Sequence, residues 1–156
     1  MNTESDSGEK YYLFLNPYRD SFSKCPKCGN KTEIRKFVLV TIFENPPKGF
    51  NMGKYCCFCR KCGLIIAKKE EITTPVELLG RKVEDMIVYG TFPLNEWRDG
   101  RACYEEVVEK TSPLKGLWHF EMQDGKPNFC REWKNDLAKT KEILNMLVQE
   151  VKRNIS

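Results

Sequence analysis

The order of apolar and polar positions predicts most of the elements of this chain. "YYLFL", Tyr11 to Leu15, alternates aromatic and aliphatic residues ahead of Pro17 and predicts an opening strand. "EIRKFVLVTIF", Glu33 to Phe43, is rich in β-branched and aromatic residues and predicts a long strand. "ENPPKG" follows and predicts a turn, because two prolines and a glycine do not continue a strand. "KYCCF" and "LIIAK" supply returning strands, and "DMIVYGTF", Asp85 to Phe92, and "GLWHFEM" two more. Thr74-Pro75 before "VELLGRK" predicts a short helix, with Thr74 as N-cap and Pro75 at the first helical position. "PLNEWRDGR" predicts a loop and "YEEVVEK" a second helix.

The final segment, Pro127 to Ser156, gives the clearest helical period. Trp133, Leu137, Leu144, Leu147, Val148, Val151 and Ile155 recur at three- and four-residue steps, while Lys134, Lys139, Lys141, Glu142 and Glu150 lie largely off that stripe. The expected element is an amphipathic helix over 127–153, which at 22 to 26 residues would be roughly 33–39 Å long. Such a helix packs across the body or overhangs and forms a dimer, so monomer and homodimer both stay open. The resulting expectation is an α+β fold. It consists of a flexible tail at 1–10, a cysteine-bearing lobe with a small antiparallel sheet at 11–72, and a mixed α/β portion at 73–156 closed by the long helix.

Composition narrows the class. The chain has 156 residues, 40% hydrophobic and 31% charged, which suits a globular protein and is too apolar for a disordered one. No apolar run approaches the roughly 20 residues a membrane helix needs. "MNTESDSGEK" is polar and acidic, without the basic-then-apolar order of a secretory signal. The expectation is therefore a cytoplasmic protein whose eight cysteines stay reduced, which ranks metal ligation above disulfides.

The cysteines carry the sharpest signal. Cys25-Pro26-Lys27-Cys28-Gly29 and Cys59-Arg60-Lys61-Cys62-Gly63 repeat one pattern, with 30 residues from Gly29 to Phe58 between them. Two residues between cysteines let a tight turn aim both sulfurs at one ion, and the glycine tolerates the positive φ of such a turn. Two of these knuckles at the ends of a β-hairpin would close a four-sulfur cage with no open position, the arrangement of a structural zinc site. On Cys25, Cys28, Cys59 and Cys62 the chain resembles the zinc ribbon family over about a third of its length. The resemblance implies a structural Zn(2+).

Two alternatives stand beside that assignment. Cys56 and Cys59 also form a Cys-x-x-Cys pair, so the second half of the cage could shift by three residues. Glycine after Cys62, against Arg60 after Cys59, favours Cys59 and Cys62, leaving Cys56 and Cys57 as small apolar strand residues. The spacing also resembles rubredoxin, an iron electron carrier with the same cage. Against it, the intervening sequence is basic and lacks an aromatic-rich core.

Charge is uneven. Between Ser21 and Lys69 stand eleven Lys and Arg against only Glu33 and Glu44, whereas the rest of the chain has fifteen basic and twenty acidic residues. Part of the excess compensates the thiolates. The remainder suggests a cationic lobe that attracts an anionic partner, RNA or DNA ahead of an acidic protein surface. The contacts expected are Lys24, Lys27, Lys31, Arg35, Lys36, Lys54, Arg60 and Lys61; the bland reading of these residues is a solvated basic face.

Nothing in the sequence marks catalysis. His119, the only histidine, sits among aromatics on an expected strand and reads as a packed residue, and Cys103 and Cys130 read as isolated core cysteines. There is no phosphate-cradling glycine loop and no recognisable acid–base pair of carboxylates, so a non-enzymatic protein is expected. More broadly, the order of knuckle, long strand, knuckle, "IVYGT" and "EWRDG" looks like small prokaryotic proteins carrying a zinc ribbon near the N-terminus, a resemblance that implies no activity.

Overall fold

The computed structural model describes residues 11–18, 22–44, 47–83, 86–97, 104–124, 126–133, 142–143 and 145–149. In chain order the strands are β1 (Tyr12–Asn16), β2 (Glu33–Glu44), β3 (Pro47–Cys59), β4 (Leu64–Lys68), β5 (Met86–Phe92), β6 (Ser112–Pro113), β7 (Gly116–Gln123) and β8 (Lys126–Trp133). Helix α1 spans Lys69–Leu78 and α2 Tyr104–Lys110, with a 3-10 turn at Leu94–Glu96. All eight strands belong to one sheet of order β6-β5-β2-β3-β4-β1-β7-β8.

The hairpin of β2 and β3 organises the molecule, its antiparallel register running from Glu33↔Phe58 to Glu44↔Pro47. "FVLVTIF" reads as an apolar run interrupted only by the buried Thr41 because β2 is covered on both faces, and period two then disappears from the pattern. Phe37, Leu39 and Phe43 join an inner core with Tyr11, Leu13, Met52, Phe58 and Ile65. Val38, Val40 and Ile42 point the other way, onto Tyr89, Phe92, Val107, Ile143 and Leu147. At about 1.5–3 kcal/mol for each fully buried large apolar side chain, these two clusters outweigh any single contact in the fold.

The sheet curls back on itself. Leu114 N–H donates to Tyr89 O (2.9 Å) and Lys115 N–H to Tyr11 O (2.7 Å), so one segment joins β5 on one side to β1 on the other. Helix α1 brings Ile72 and Val76, fully buried and one turn apart, against the inner core.

Several expectations require correction. The α+β arrangement with a separate small sheet is overturned: β1 pairs with β7 and β2 with β5, so the strands around the cysteines and those after them form a single β-sheet. The helix expected over 127–153 is overturned at its start, where Lys126–Trp133 is a strand antiparallel to β7. Gln123↔Lys126 closes a two-residue turn with Asp124 at φ 52°, the Asp-Gly hairpin signal that the helical period of the apolar residues obscured. Beyond Trp133, residues 142–143 and 145–149 are helical, with Ile143, Leu147 and Val148 buried. Leu137, Leu144, Val151 and Ile155 lie outside the described residues, as does the tail at 1–10.

Helix α1 begins at Lys69, six residues before the expected first position, and carries Pro75 inside it. Burying both Ile72 and Val76 requires the turn that precedes the proline, and this offsets the backbone hydrogen bond Pro75 forgoes. "ENPPKG" contributes Pro47, Lys48 and Gly49 to β3. Proline is tolerated at a strand's first residue, and β3 pairs with β4 only at Cys57, Phe58 and Cys59, leaving that end of β3 unpaired on the β4 side.

Candidate metal centre

The open end of the β2–β3 hairpin brings the two knuckles together. The first lies just before β2 and the second is the turn from β3 into β4, so strands of 12 and 13 residues account for the long spacing between them. Both knuckles close with the same bond: Gly29 N–H donates to Cys25 O and Gly63 N–H to Cys59 O, each at 2.9 Å. Gly29 (φ 79°) and Gly63 (φ 66°) occupy the left-handed region, as the position after the second cysteine requires. The first knuckle is further pinned by Cys25 N–H to Asn30 O (2.7 Å), Thr32 N–H to Ser23 O (2.9 Å) and the Lys24↔Lys31 bridge.

The Sγ atoms of Cys25, Cys28, Cys59 and Cys62 all lie within 4.8 Å of one another. Across the knuckles, Cys28 Sγ is 3.5 Å from Cys59 Sγ and Cys25 Sγ is 3.9 Å from Cys62 Sγ. A tetrahedral ion with metal–sulfur bonds of about 2.3 Å separates its ligands by about 3.8 Å. The cluster fits that geometry, and its separations are far longer than the roughly 2 Å of a disulfide.

Electrostatics suit a cation at the centre. Lys27 N–H and Asn30 N–H each point at a sulfur, Cys25 and Cys28 respectively, at 3.4 Å. The Asn30 N–H pulls the Cys28 thiol down to about 7, whereas burial pushes Cys25 and Cys62 up. Thiols so close cannot all ionise cheaply unless a positive ion sits among them. Around them Phe14, Leu64 and Ile66 form a buried apolar floor, with Tyr12, Tyr18 and Phe22 packed against it.

Cys56 is not in this group. Its side chain turns to the inner core beside Phe58, its thiol contacts Lys54 O at 3.6 Å, and burial raises it to about 12. Strand alternation places Cys57 instead on the cysteine face, half-buried against the cage residues. Sequence reasoning did not single out that proximity, although the spacing Tyr55, Cys57, Cys59 on one strand contained it.

The eight basic residues disperse into different roles. Lys24, Lys27, Lys31, Arg60 and Lys61 are exposed on or beside the knuckles. Arg60 forks onto Glu33, Nε to Oε1 at 3.0 Å and Nη2 to Oε2 at 3.2 Å. Arg35 stacks over Phe37 (5.1 Å) and Phe58 (5.2 Å), and Lys54 is opposite Phe37 in the register, so both lie on the inner face of the sheet. Lys36 sits between Tyr55 and Trp97 on the outer face. His119 pairs with Arg131 on β8 and Cys130 falls at the break in that register. The side chains of His119 and Cys130, and the whole of Cys103, lie outside the described residues.

No family model, no curated protein and no solved structure matches the chain. The four-cysteine cluster therefore defines the site on geometry alone. Among the described residues no helix is long and apolar enough to cross a membrane.

Proposed function

We propose that Cys25, Cys28, Cys59 and Cys62 hold a structural zinc ion and that the basic surface around this centre binds nucleic acid. The observation that carries the zinc reading is the closed set of four sulfurs within 4.8 Å of one another, with cross-knuckle separations of 3.5 and 3.9 Å that suit a tetrahedral ion and all four ligand positions supplied by the chain. Zinc ligation would tie the β1–β2 connection to the β3–β4 turn, so its contribution is to folding, in the manner of the zinc ribbon family the knuckles resemble.

The nucleic-acid part is supported by the exposure of Lys24, Lys27, Lys31 and Lys61 on the two knuckles that the fold draws together. Metal analysis of purified protein tests the first part: one zinc per chain is expected, and a red, iron-containing protein would favour the rubredoxin-like reading instead. Binding of a labelled oligonucleotide across a salt series tests the second. Affinity should fall steeply as salt rises, and absence of binding at low salt overturns it.

A further inference from the structure

The outer face of the β2–β3 hairpin carries an aromatic ledge between the metal centre and the body of the sheet. Ile34 and Tyr55 lie on this face as diagonal neighbours, about 7–8 Å apart between backbones, and each is 69% exposed. Lys36 lies between two rings, its Nζ 5.5 Å from the centre of Tyr55 and 5.4 Å from that of Trp97. Trp97 packs closely against the strand because position 53 is glycine: a Cβ there would come within 2.6 and 2.7 Å of two indole ring carbons. Cys57, opposite Ile34 in the register, continues this face toward the cage and its exposed lysines.

Single exposed apolar side chains are ordinary. Tyr55 is different in its setting, because an ammonium group lies between its ring and that of Trp97, and the two knuckles at one end of the hairpin carry four exposed lysines. Exposed aromatic faces beside cations are the chemistry that holds unpaired bases, with rings stacking on bases and cations meeting phosphates. A duplex keeps its base faces covered and could use only the lysines. We infer that the partner of this face is single-stranded nucleic acid, bound by stacking on Tyr55 and by phosphate contacts from Lys36 and the knuckle lysines. The inference rests on the nucleic-acid reading above and narrows it to a strand state and a stacking residue.

The test uses the zinc-loaded full chain and a fluorescein-labelled oligo-dT of roughly 15 nucleotides, alone and annealed to its complement. Wild-type protein should prefer the single strand. Tyr55→Ala should weaken single-strand binding about tenfold without changing its salt slope, and Tyr55→Trp should restore it. Lys24→Glu with Lys61→Glu should instead reduce the salt slope. Zinc content confirms that each variant retains the fold around the cage. Equal affinity for single strand and duplex, or unchanged affinity in Tyr55→Ala, overturns the stacking inference and leaves the nucleic-acid reading standing. If wild type binds neither probe at low salt, the nucleic-acid reading itself fails.

Discussion

Cys28 Sγ and Cys59 Sγ lie 3.5 Å apart although 31 positions separate them in the chain. The long β2–β3 hairpin produces this meeting by returning the chain to its starting end. The separation would let one ion tie two loops, and an ion held there would make the stability of the hairpin and the occupancy of the site mutually dependent.

Removing the metal should therefore be costly. Cys59→Ser, which replaces a fully buried ligand, is expected to abolish stoichiometric zinc and lower the melting temperature by about 10 °C or more. Chelation of the wild type should produce a similar loss and make four additional thiols reactive toward a thiol reagent. Calorimetry with and without chelator checks the first, and thiol titration the second.

Cys56 should behave oppositely. Cys56→Ala is expected to keep full zinc content, losing about 1 kcal/mol from the small cavity it leaves. Burial raises the Cys56 thiol from 9.0 to about 12, so the folded chain keeps a proton that the unfolded chain sheds. That contribution is complete below pH 9.0 and is lost as pH rises toward about 12. Denaturant unfolding of zinc-loaded protein between about pH 8 and about pH 11 should show a shallower alkaline decline in Cys56→Ala than in wild type.

The knuckle glycines give a paired test. Nothing lies within 4 Å of a Cβ built on Gly29, so Gly29→Ala carries only the cost of a side chain at φ 79°. That cost is about 1–2 kcal/mol, and Gly63→Ala, at φ 66°, should show a similar one. Both variants are expected to bind zinc more weakly, measured by competition with a chromophoric chelator, without loss of the four ligands.

Closure of the sheet can be probed at Gly90. A Cβ there would lie 2.2 Å from the backbone oxygen of Ser112, on the strand that pairs with β5. Gly90→Ala is expected to cost about 3 kcal/mol or more, since backbone must move to admit it. Hydrogen exchange should show early opening of Leu114 and Lys115 in this variant; unchanged protection would contradict closure of the sheet through these two residues.

The cage was legible because its signal is local. Cys-x-x-Cys-Gly specifies a turn, a φ sign and two sulfurs within five residues, and the strand from Glu33 was equally plain from its β-branched run. The choice of Cys59 over Cys56 followed from the same local rule, and strand alternation accounts for it in space. The strand at Lys126–Trp133 was misread because apolar spacing alone admits a helical period, whereas the deciding partner, β7, is recognised only through the Asp124 turn. The start of α1 was misread for a related reason. The proline suggested a boundary, and the need to bury Ile72 and Val76 together moved it.

By itself the sequence determined which four sulfurs can share an ion, where the central hairpin runs and that its surroundings are basic. Each of these depends on residue type and short spacing. Only the tertiary structure decided that β1 joins β7 and β2 joins β5 in one curled sheet, and that Arg35 turns inward while Lys36 lies between Tyr55 and Trp97. Those outcomes depend on which distant segments supply the missing hydrogen bonds and cover the remaining apolar faces, a competition among long-range pairings that local pattern does not encode.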